Sequence, residues 1–349
     1  MKLSDFHYIL PKVLIAQYPT TPRDVSRMMV VDRNKNDFKH GFFKDFPDYV
    51  DAKDVVVLND TKVINARLFG RRATGGKVEI FILEHLKSDD YSVLIRPSGK
   101  IDEGEEIIFD NPNLKARVVR KKKGGNIVSF ASGADVYEEI IKTGNVPLPP
   151  YIKRPSEPID SERYQTVYAK REGATAAPTA GLHFSKDVMA RLSQKGVATE
   201  YVTLHVNYGT FAPIKTEDVK EHKMHTEEFE LTARTASAIN MKRRSGGRVI
   251  AVGTTSCRVL ETCADEIRGK GAAIRYELRP RKEKTDLFIY PDYRFKIIDA
   301  LLTNFHMPKS TLLLLVAAFA GKDLLFRAYE EAVKKRYRFF SYGDCMLIL

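Results

Sequence analysis

Cysteine, long apolar runs and export signals are scarce in this 349-residue sequence. Its three cysteines, Cys257, Cys263 and Cys345, form no Cys-x-x-Cys pair, so we expect neither a disulfide scaffold nor a cysteine metal or redox centre. The longest apolar run, residues 311–320, is about half of the ~20 residues that a membrane-spanning helix needs. The first residues lack the basic start and apolar stretch of a secretory signal, which predicts a cytoplasmic location.

Several nucleotide-binding and hydrolase motifs are also missing. No Gly-x-Gly-x-x-Gly follows the first predicted strand, so an ordinary dinucleotide or methyltransferase-type site is not supported. The absence of Gly-x-x-x-x-Gly-Lys-[Ser/Thr] argues against nucleoside triphosphate hydrolysis, and the absence of Gly-x-Ser-x-Gly argues against a hydrolase nucleophile.

Positive charge, in contrast, is abundant. The formal net charge is +12 and the pI is near 9.4. A field of this sign attracts polyanions, of which nucleic acid is the leading example. General solubility explains the same charge and remains an alternative.

Strand and helix patterns alternate in the second half of the chain, which is typical of a layered α/β sheet. The apolar run 55–58 ends in turn-forming residues and fits a strand buried on both faces of the same sheet. We predict strands at 28–32, 55–58, 197–206, 248–252 and 286–290, and helices at 160–170, 186–195, 232–244 and 256–268.

A different pattern occupies residues 63–130, where apolar and polar residues alternate between turn signals without a helical period. This predicts an antiparallel barrel or sandwich. Its predicted strands are 77–83, 91–95, 105–109, 114–120 and 126–130, followed by a helix at 133–143 and a stiff proline run at 146–151. We therefore expect an α/β main domain, residues 1–63 and 153–349, with an inserted all-β barrel domain at 64–152.

Residues 173–184 (GATAAPTAGLHF) are almost all too small to fill a core. Small residues allow close approach to the backbone, and only Thr175, Thr179 and His183 carry hydrogen-bonding side chains. We interpret the segment as one wall of a binding site. A mobile linker is the alternative, although linkers are richer in serine, glycine and charge.

Other polar clusters fall at predicted strand ends, where α/β sheets bind ligands. Residues 249–258 combine a strand, a glycine turn and a helix start that suits a carboxylate or phosphate; an ordinary helix cap explains one hydroxyl there but not three in a row. Residues 59–67 form a similar cluster or a domain-crossing turn. Residues 337–344 mix cations and aromatic rings, which either stack a base or cap the core. The basic residues within 115–123 fit a solvated turn better than a phosphate contact.

Three histidines, His183, His205 and His306, lie at boundaries of predicted elements. Each alone is more often structural than catalytic, but the recurrence suggests proton transfer, since imidazole titrates near neutral pH. His222 and His225 form a His-x-x-His pair without a nearby third ligand, so we predict no metal site.

The same clusters resemble the S-adenosylmethionine:tRNA ribosyltransferase-isomerase family of queuosine biosynthesis. The matching blocks run in the family's order from end to end of the chain: 58–67 (LNDTKVINAR), 176–184 (AAPTAGLHF), 252–255 (VGTT), 303–311 (TNFHMPKST) and 338–344 (RFFSYGD). Two positions depart from the family pattern. Asn207 replaces a glycine of His-Val-Gly-x-Gly-Thr-Phe, and Cys345 replaces the alanine of Gly-Asp-Ala-Met. Asparagine tolerates left-handed dihedrals, so the first change is compatible with the same loop.

The resemblance implies an enzyme that uses S-adenosylmethionine as a ribosyl donor to tRNA, on an α/β fold with an inserted barrel. The ribosyl unit would move to a 7-aminomethyl-7-deazaguanine base at the wobble position and rearrange to epoxyqueuosine, releasing adenine and methionine. We expect no metal cofactor, a monomer, and tRNA as partner. Proton-transfer candidates within the matched motifs are His183, His205 and His306, with Asp60 as the carboxylate alternative.

The resemblance also suggests binding residues for both substrates. Candidates for S-adenosylmethionine are Thr179, Gly181, Gly209, Thr210, Gly253, Thr254, Thr255 and Asn304; candidates for tRNA are Arg67, Arg258, Lys309 and Arg338. Two other functions are kept as alternatives. A non-catalytic RNA-binding protein would bind tRNA in a salt-sensitive way without consuming S-adenosylmethionine. A metal-dependent RNA hydrolase would lose activity with a chelator.

Overall fold

The computed structural model describes residues 1–122, 125–207, 209, 214–267 and 274–349. Its strands are β1 (Arg27–Asp32), β2 (Asp37–Phe42), β3 (Val55–Asn59), β4 (Thr61–Val63), β5 (Arg67–Arg72), β6 (Lys77–Lys87), β7 (Asp90–Arg96), β8 (Glu106–Phe109), β9 (Leu114–Arg120), β10 (Asn126–Ser132), β11 (Arg171–Ala174), β12 (Ala198–Leu204), β13 (Glu227–Leu231), β14 (Val249–Val252), β15 (Ala264–Ile267), β16 (Arg275–Leu278), β17 (Arg281–Thr285), β18 (Ala300–Asn304) and β19 (Cys345–Ile348). Its α-helices are α1 (Val136–Thr143), α2 (Pro158–Arg163), α3 (Lys186–Gln194), α4 (Ala233–Arg244), α5 (Gly253–Thr262), α6 (Thr311–Ala320) and α7 (Lys322–Lys334).

A nine-stranded mixed sheet forms the centre of the main domain, in the order β17-β13-β12-β3-β14-β18-β19-β1-β2. The four central strands β12, β3, β14 and β18 are parallel. Strand β19 runs antiparallel to β18 and parallel to β1. The carboxyl ends of four neighbouring strands therefore meet at one edge, together with the amino ends of β19 and β1.

Both faces of this sheet are covered, because its central strands are apolar on both sides. Val55 and Val57 of β3 pack in the core that includes residues of α4, α5, α6 and α7, whereas Val56 and Leu58 pack with α3, Phe43 and other residues on the opposite face. The side chain of an N-cap residue accepts a hydrogen bond at the start of each of α3, α4 and α6: Ser185, Thr232 and Ser310. Such caps satisfy backbone donors that the helix itself leaves unpaired.

Strands β5 to β10 form a closed antiparallel barrel in the order β10-β7-β6-β5-β8-β9, with β10 paired back to β9. The barrel lies in the chain between β4 and β11, which pair with each other in parallel. An α/β domain with an inserted all-β barrel is thus the predicted fold class, and the structure confirms it.

Three predicted elements differ from the structure. The helix expected at 160–170 is α2, which ends at Arg163, because Tyr164 turns into the core and the backbone N–H of Lys170 is bonded to Asp60 O. The helix expected at 256–268 starts earlier, as α5, and ends at Thr262; residues 264–267 form β15, paired with β16, and residue 268 lies outside the described ranges. Residues 286–290 form no strand, since Leu287 and its neighbours line a cleft against α5 and α6.

Of the helices in the described ranges, none has both the length and the apolar character needed to cross a membrane.

Candidate functional site

The predicted polar clusters converge at the edge of the sheet where β12, β3, β14 and β18 end. Because the four strands are parallel neighbours, the residues that follow them are brought side by side: His205, Asp60, Gly253 and the segment after Asn304. The edge of an open α/β sheet beyond the strand carboxyl ends is where such folds bind ligands. Among the described residues, the predicted site residues line two cavities there that concern the candidate chemistry.

The first, the main cavity, has a volume of about 60 Å³, below the ~300–1,000 Å³ typical of small-molecule sites, so its walls lie close together. The small-residue segment forms one wall through residues 176–180, and the start of α5 forms another. Of the predicted residues, the main cavity is lined by Thr179, Gly253, Thr254, Thr255, Asn304 and His306. The structure thus brings three separate sequence clusters to one cavity.

Helix α5 begins at the main cavity with a bare amino end. Val252 at its N-cap supplies no side-chain hydrogen bond, and Gly253 has a φ of +85°, a left-handed conformation that glycine adopts without strain. The buried Thr255 Oγ1 has no hydrogen-bond partner among the described residues. Free N–H groups, the positive end of the helix dipole and an unpaired hydroxyl together suit an anion such as a carboxylate.

The side chain of Asn304 is held in one orientation at the main cavity wall. Its Nδ2 donates to Phe340 O and to His183 Nε2, both at 3.1 Å. Its Oδ1 is buried without a hydrogen-bond partner in the described structure. An unpaired buried carbonyl is costly, so this atom is suited to accept a hydrogen bond from a ligand.

His183 lies behind this wall rather than on it. Its side chain is buried, its Nδ1 is 2.7 Å from Ser26 Oγ, and its Nε2 accepts from Asn304, so both ring nitrogens are occupied. Burial, aided by the positive charges of Arg338 and Arg23, lowers the pKa of His183 to about 3, so the ring is neutral at pH 7. This placement favours a role in orienting Asn304 over the direct proton transfer suggested by the sequence.

His306, in contrast, lines the main cavity. Its Nε2 is 2.7 Å from Thr303 Oγ1, and its backbone N–H donates to Tyr329 OH at 2.9 Å while its carbonyl accepts from Tyr8 OH. Burial lowers the pKa of His306 to about 3, which keeps the imidazole neutral. Among the three histidines, His306 is the one with its ring at the main cavity.

His205 lines a second cavity of about 520 Å³ on the β12 and β13 side of the edge, and Asp60 contacts Thr203 and Arg171 in its wall. His205 Nδ1 lies 2.8 Å from Thr61 Oγ1, and Asp60 Oδ1 accepts from Thr203 Oγ1 at 2.6 Å. Arg171 Nε is 3.9 Å from Asp60 Oδ2. Burial lowers the pKa of His205. Of the four proton-transfer candidates, His306 lines the main cavity and His205 lines the second, whereas His183 and Asp60 contact residues that line them.

Two predicted glycines serve close packing instead of lining either cavity. A Cβ on Gly181 would lie 2.1 Å from Tyr168 OH, and a Cβ on Gly209 would lie 2.7 Å from His225 Cδ2. Neither position can accept a side chain without displacing an aromatic ring. Thr210, the remaining candidate for S-adenosylmethionine, lies outside the described residues.

The four predicted tRNA-binding cations have different surroundings. Lys309 is exposed and lies next to Ser310, which lines the main cavity. Arg338 donates to Tyr18 O at 3.1 Å and to Tyr342 O at 2.6 Å. Arg67 lies at the start of the barrel, 3.2 Å from Glu79. Arg258 is different: it is buried and ion-paired with Glu227, a placement that favours a structural role over a phosphate contact.

Three site residues were missed by the sequence analysis. Tyr151 and Ser341 line the main cavity and hydrogen-bond to each other, and Ser26 supports His183. Tyr151 ends the proline run 146–151 and Ser341 lies in the cluster 337–344, so a local sequence pattern marked both segments. No such pattern marked Ser26. Within the described ranges, no three His, Cys, Asp or Glu side chains come together to hold a metal ion.

Comparison with known proteins gives consistent findings over the whole chain. Residues 3–348 match the family model described as a queuosine biosynthesis protein. Proteins named S-adenosylmethionine:tRNA ribosyltransferase-isomerase from Acetivibrio thermocellus and Symbiobacterium thermophilum are 48% and 50% identical, with all of both chains covered. The crystal structure of an S-adenosylmethionine tRNA ribosyltransferase from Thermotoga maritima is similar, with 37% identity and a TM-score of 0.54, over 99% of this chain and 100% of that one.

Proposed function

The chain belongs to the queuosine biosynthesis protein family, and on that premise we propose that it is an S-adenosylmethionine:tRNA ribosyltransferase-isomerase. It would move the ribosyl unit of S-adenosylmethionine to the 7-aminomethyl-7-deazaguanine base at the tRNA wobble position and isomerise it, giving epoxyqueuosine-tRNA, adenine and methionine. The observation that carries the proposal is full-length identity near one half to enzymes of that name, together with a main cavity built from the shared motifs.

The start of α5 is our candidate for the methionine end of S-adenosylmethionine. That end carries a carboxylate, and the bare helix start with Gly253, Thr254 and the unpaired Thr255 hydroxyl offers donors and positive potential. Thr179, on the opposite wall of the main cavity, is the remaining candidate for contact with this end of S-adenosylmethionine. S-adenosylmethionine supplies an electrophilic sulfonium and a ribosyl group when bound; the chain's contribution is to hold it and to move protons.

Asn304 is proposed as an acceptor for an N–H group of the same substrate. Asn304 Nδ2 donates twice within the protein, so its Oδ1 is presented with a defined orientation. Ser26 and His183 act behind it: because Asn304 donates to His183 Nε2, the proton of the neutral ring lies on Nδ1 and is donated to Ser26 Oγ. His183 is thus a positioning residue in this proposal.

His306 is our first candidate for proton transfer in the main cavity. His306 lines the main cavity, and its hydrogen bond with Thr303 at Nε2 fixes the ring plane, so the imidazole is placed to exchange a proton with the acidic position beside the sulfonium. Asp60 and His205 remain candidates for proton transfer on the nucleobase side, because His205 lines the second cavity at the same sheet edge and Asp60 accepts from Thr203 in its wall. Proton-transfer candidates at two neighbouring places, His306 at one and Asp60 with His205 at the other, suit a reaction that needs more than one proton transfer.

For tRNA we retain Arg67, Lys309 and Arg338, whose side chains are not fully buried. We further propose domain limits of 1–63 with 153–349 and 64–152, a cytoplasmic location and a monomeric enzyme. Sedimentation velocity with and without tRNA tests the last of these: a dimer in either condition would contradict it.

One experiment tests the proposed activity. The full-length protein is incubated with tRNA carrying the 7-aminomethyl-7-deazaguanine base and with S-adenosylmethionine labelled in the ribose. We expect free adenine and label in the tRNA in equal amounts, with no effect of a chelator. Binding of tRNA without adenine release would instead support the non-catalytic RNA-binding function, and loss of activity with a chelator would support a metal-dependent enzyme.

A further inference from the structure

The outer face of barrel strands β5, β6 and β7 carries a groove in which only Arg67 has a proposed role so far, as a candidate for tRNA binding. A cavity of about 550 Å³ and a much smaller one of about 10 Å³ share Glu79 and Arg96, so they adjoin in one depression. We call it the barrel groove; its principal side chains are Arg67, Phe69, Arg71, Lys77, Glu79, Phe81, Arg96 and Asp110.

Strand register explains why these residues share a face. Phe69 pairs with Glu79, which pairs with Arg96, and the next outward row pairs Arg71 with Lys77. Outward residues recur every second position along a strand, so adjacent rows are about 7 Å apart. The groove is therefore a regular surface of the barrel wall.

Phe69 is the unusual member of the groove, because 54% of its side chain is exposed while its neighbour Leu68 fills the barrel core. Four cations, Arg67, Arg71, Lys77 and Arg96, are in or beside the groove, against two acids, Glu79 and Asp110, and Glu79 is already paired with Arg67 at 3.2 Å. An exposed aromatic ring among excess cations is the combination that binds unpaired nucleotides, by base stacking and phosphate contact.

The barrel groove is also close to the main cavity along the chain. Arg67 at its narrow end donates to Leu148 O at 3.2 Å, and Tyr151, three residues further on, lines the main cavity. Three residues span at most about 10 Å. A base that enters the main cavity from a large RNA must leave its neighbours on the protein surface within such a distance.

We propose that the barrel groove binds unpaired anticodon-loop nucleotides next to the reacting base, with Phe69 stacking on a base and Arg71 and Lys77 contacting phosphates. This inference rests on the proposed function, because it takes the partner to be tRNA. It assigns the inserted barrel a role in substrate binding that leaves the chemistry in the α/β domain.

The test compares two opposite walls of the barrel in the full-length protein. Phe69→Ala and the double variant Arg71→Ala/Lys77→Ala alter the groove. Val119→Ala and Lys115→Ala/Arg120→Ala on β9, which lies across the barrel from β6, remove an exposed apolar side chain and the same charge. Direct tRNA binding is measured against salt concentration, and adenine release against tRNA concentration.

We expect Phe69→Ala to weaken tRNA binding about 5- to 150-fold, the range for losing one base–aromatic stack, and to raise KM for tRNA without changing kcat. Phe69→Tyr should bind like the original protein. The double variant should reduce the slope of log K against log salt by about 1 to 2, and the β9 variants should lose less than threefold.

The inference would be overturned if the groove variants and the β9 variants lost tRNA affinity equally. It would also be overturned if the groove variants bound tRNA as tightly as the original protein. If the original protein binds tRNA but releases no adenine, the proposed activity fails while the binding comparison still decides the role of the barrel groove. The two failures are therefore distinguishable.

Discussion

His183→Gln separates a histidine that transfers protons from one that positions Asn304. A glutamine at this position retains an acceptor for Asn304 Nδ2 and a donor for Ser26 Oγ, but its amide cannot exchange protons at neutral pH. The substitution thus preserves the positioning contacts and removes proton transfer. His183→Ala removes both and leaves a cavity in a layer packed against Phe43.

The loss of activity expected for His183→Gln differs between the positioning role and the proton-transfer role. A distorted hydrogen bond in the positioning chain costs about 0.5–1.5 kcal/mol, or roughly 2- to 13-fold in rate. Loss of general acid–base catalysis costs about 100- to 10,000-fold. We therefore expect His183→Gln to reduce adenine release less than about 15-fold. His183→Ala should lose more activity and also about 3 kcal/mol of stability, the scale for truncating a large buried ring.

The assay is single-turnover adenine release at saturating tRNA and S-adenosylmethionine, with thermal unfolding measured on each variant. A double-mutant cycle with Asn304→Ala adds a second readout, since residues of one chain of hydrogen bonds give non-additive losses. A 100-fold or greater loss in His183→Gln at an unchanged unfolding temperature would refute the positioning role and restore His183 to proton transfer.

Three further predictions follow from the site. Thr255→Val removes a hydroxyl that has no partner within the described residues, so KM for S-adenosylmethionine should rise roughly tenfold at an unchanged unfolding temperature; an unchanged KM would count against the carboxylate site. Arg258→Met removes the buried cation that pairs with Glu227 and should lower the unfolding free energy by about 3–5 kcal/mol, measured by urea denaturation, whereas the salt dependence of tRNA binding should stay the same. Because burial lowers the folded-state pKa of His183 and His306 to about 3, only the unfolded state takes up their protons as pH falls below ~6.5. The unfolding free energy should therefore drop by about 1.4 kcal/mol per histidine between pH 7.5 and 5.5, and a drop of the same size in His183→Gln as in the original protein would argue against this assignment.

Local patterns predicted most of the fold. The helix expected at 186–195 is α3 within one residue, and the strand expected at 114–120 is β9. Both depend on short-range periodicity that burial then reinforces. The strand predicted at 286–290 was wrong because an apolar run is equally suited to a strand or to the wall of a cleft. Here α5 and α6 supply the other wall of that cleft.

The sequence by itself determined the fold class, the position of the barrel insertion and the clusters that form the site, since strand periodicity, turn residues and family motifs are all local. Only the tertiary structure decided which histidine faces which cavity. Strand order placed β3 between β12 and β14, and hydrogen bonds with Ser26 and Asn304 hold His183 behind the wall that His306 lines. Those contacts join residues far apart in the chain, and no local pattern encodes them.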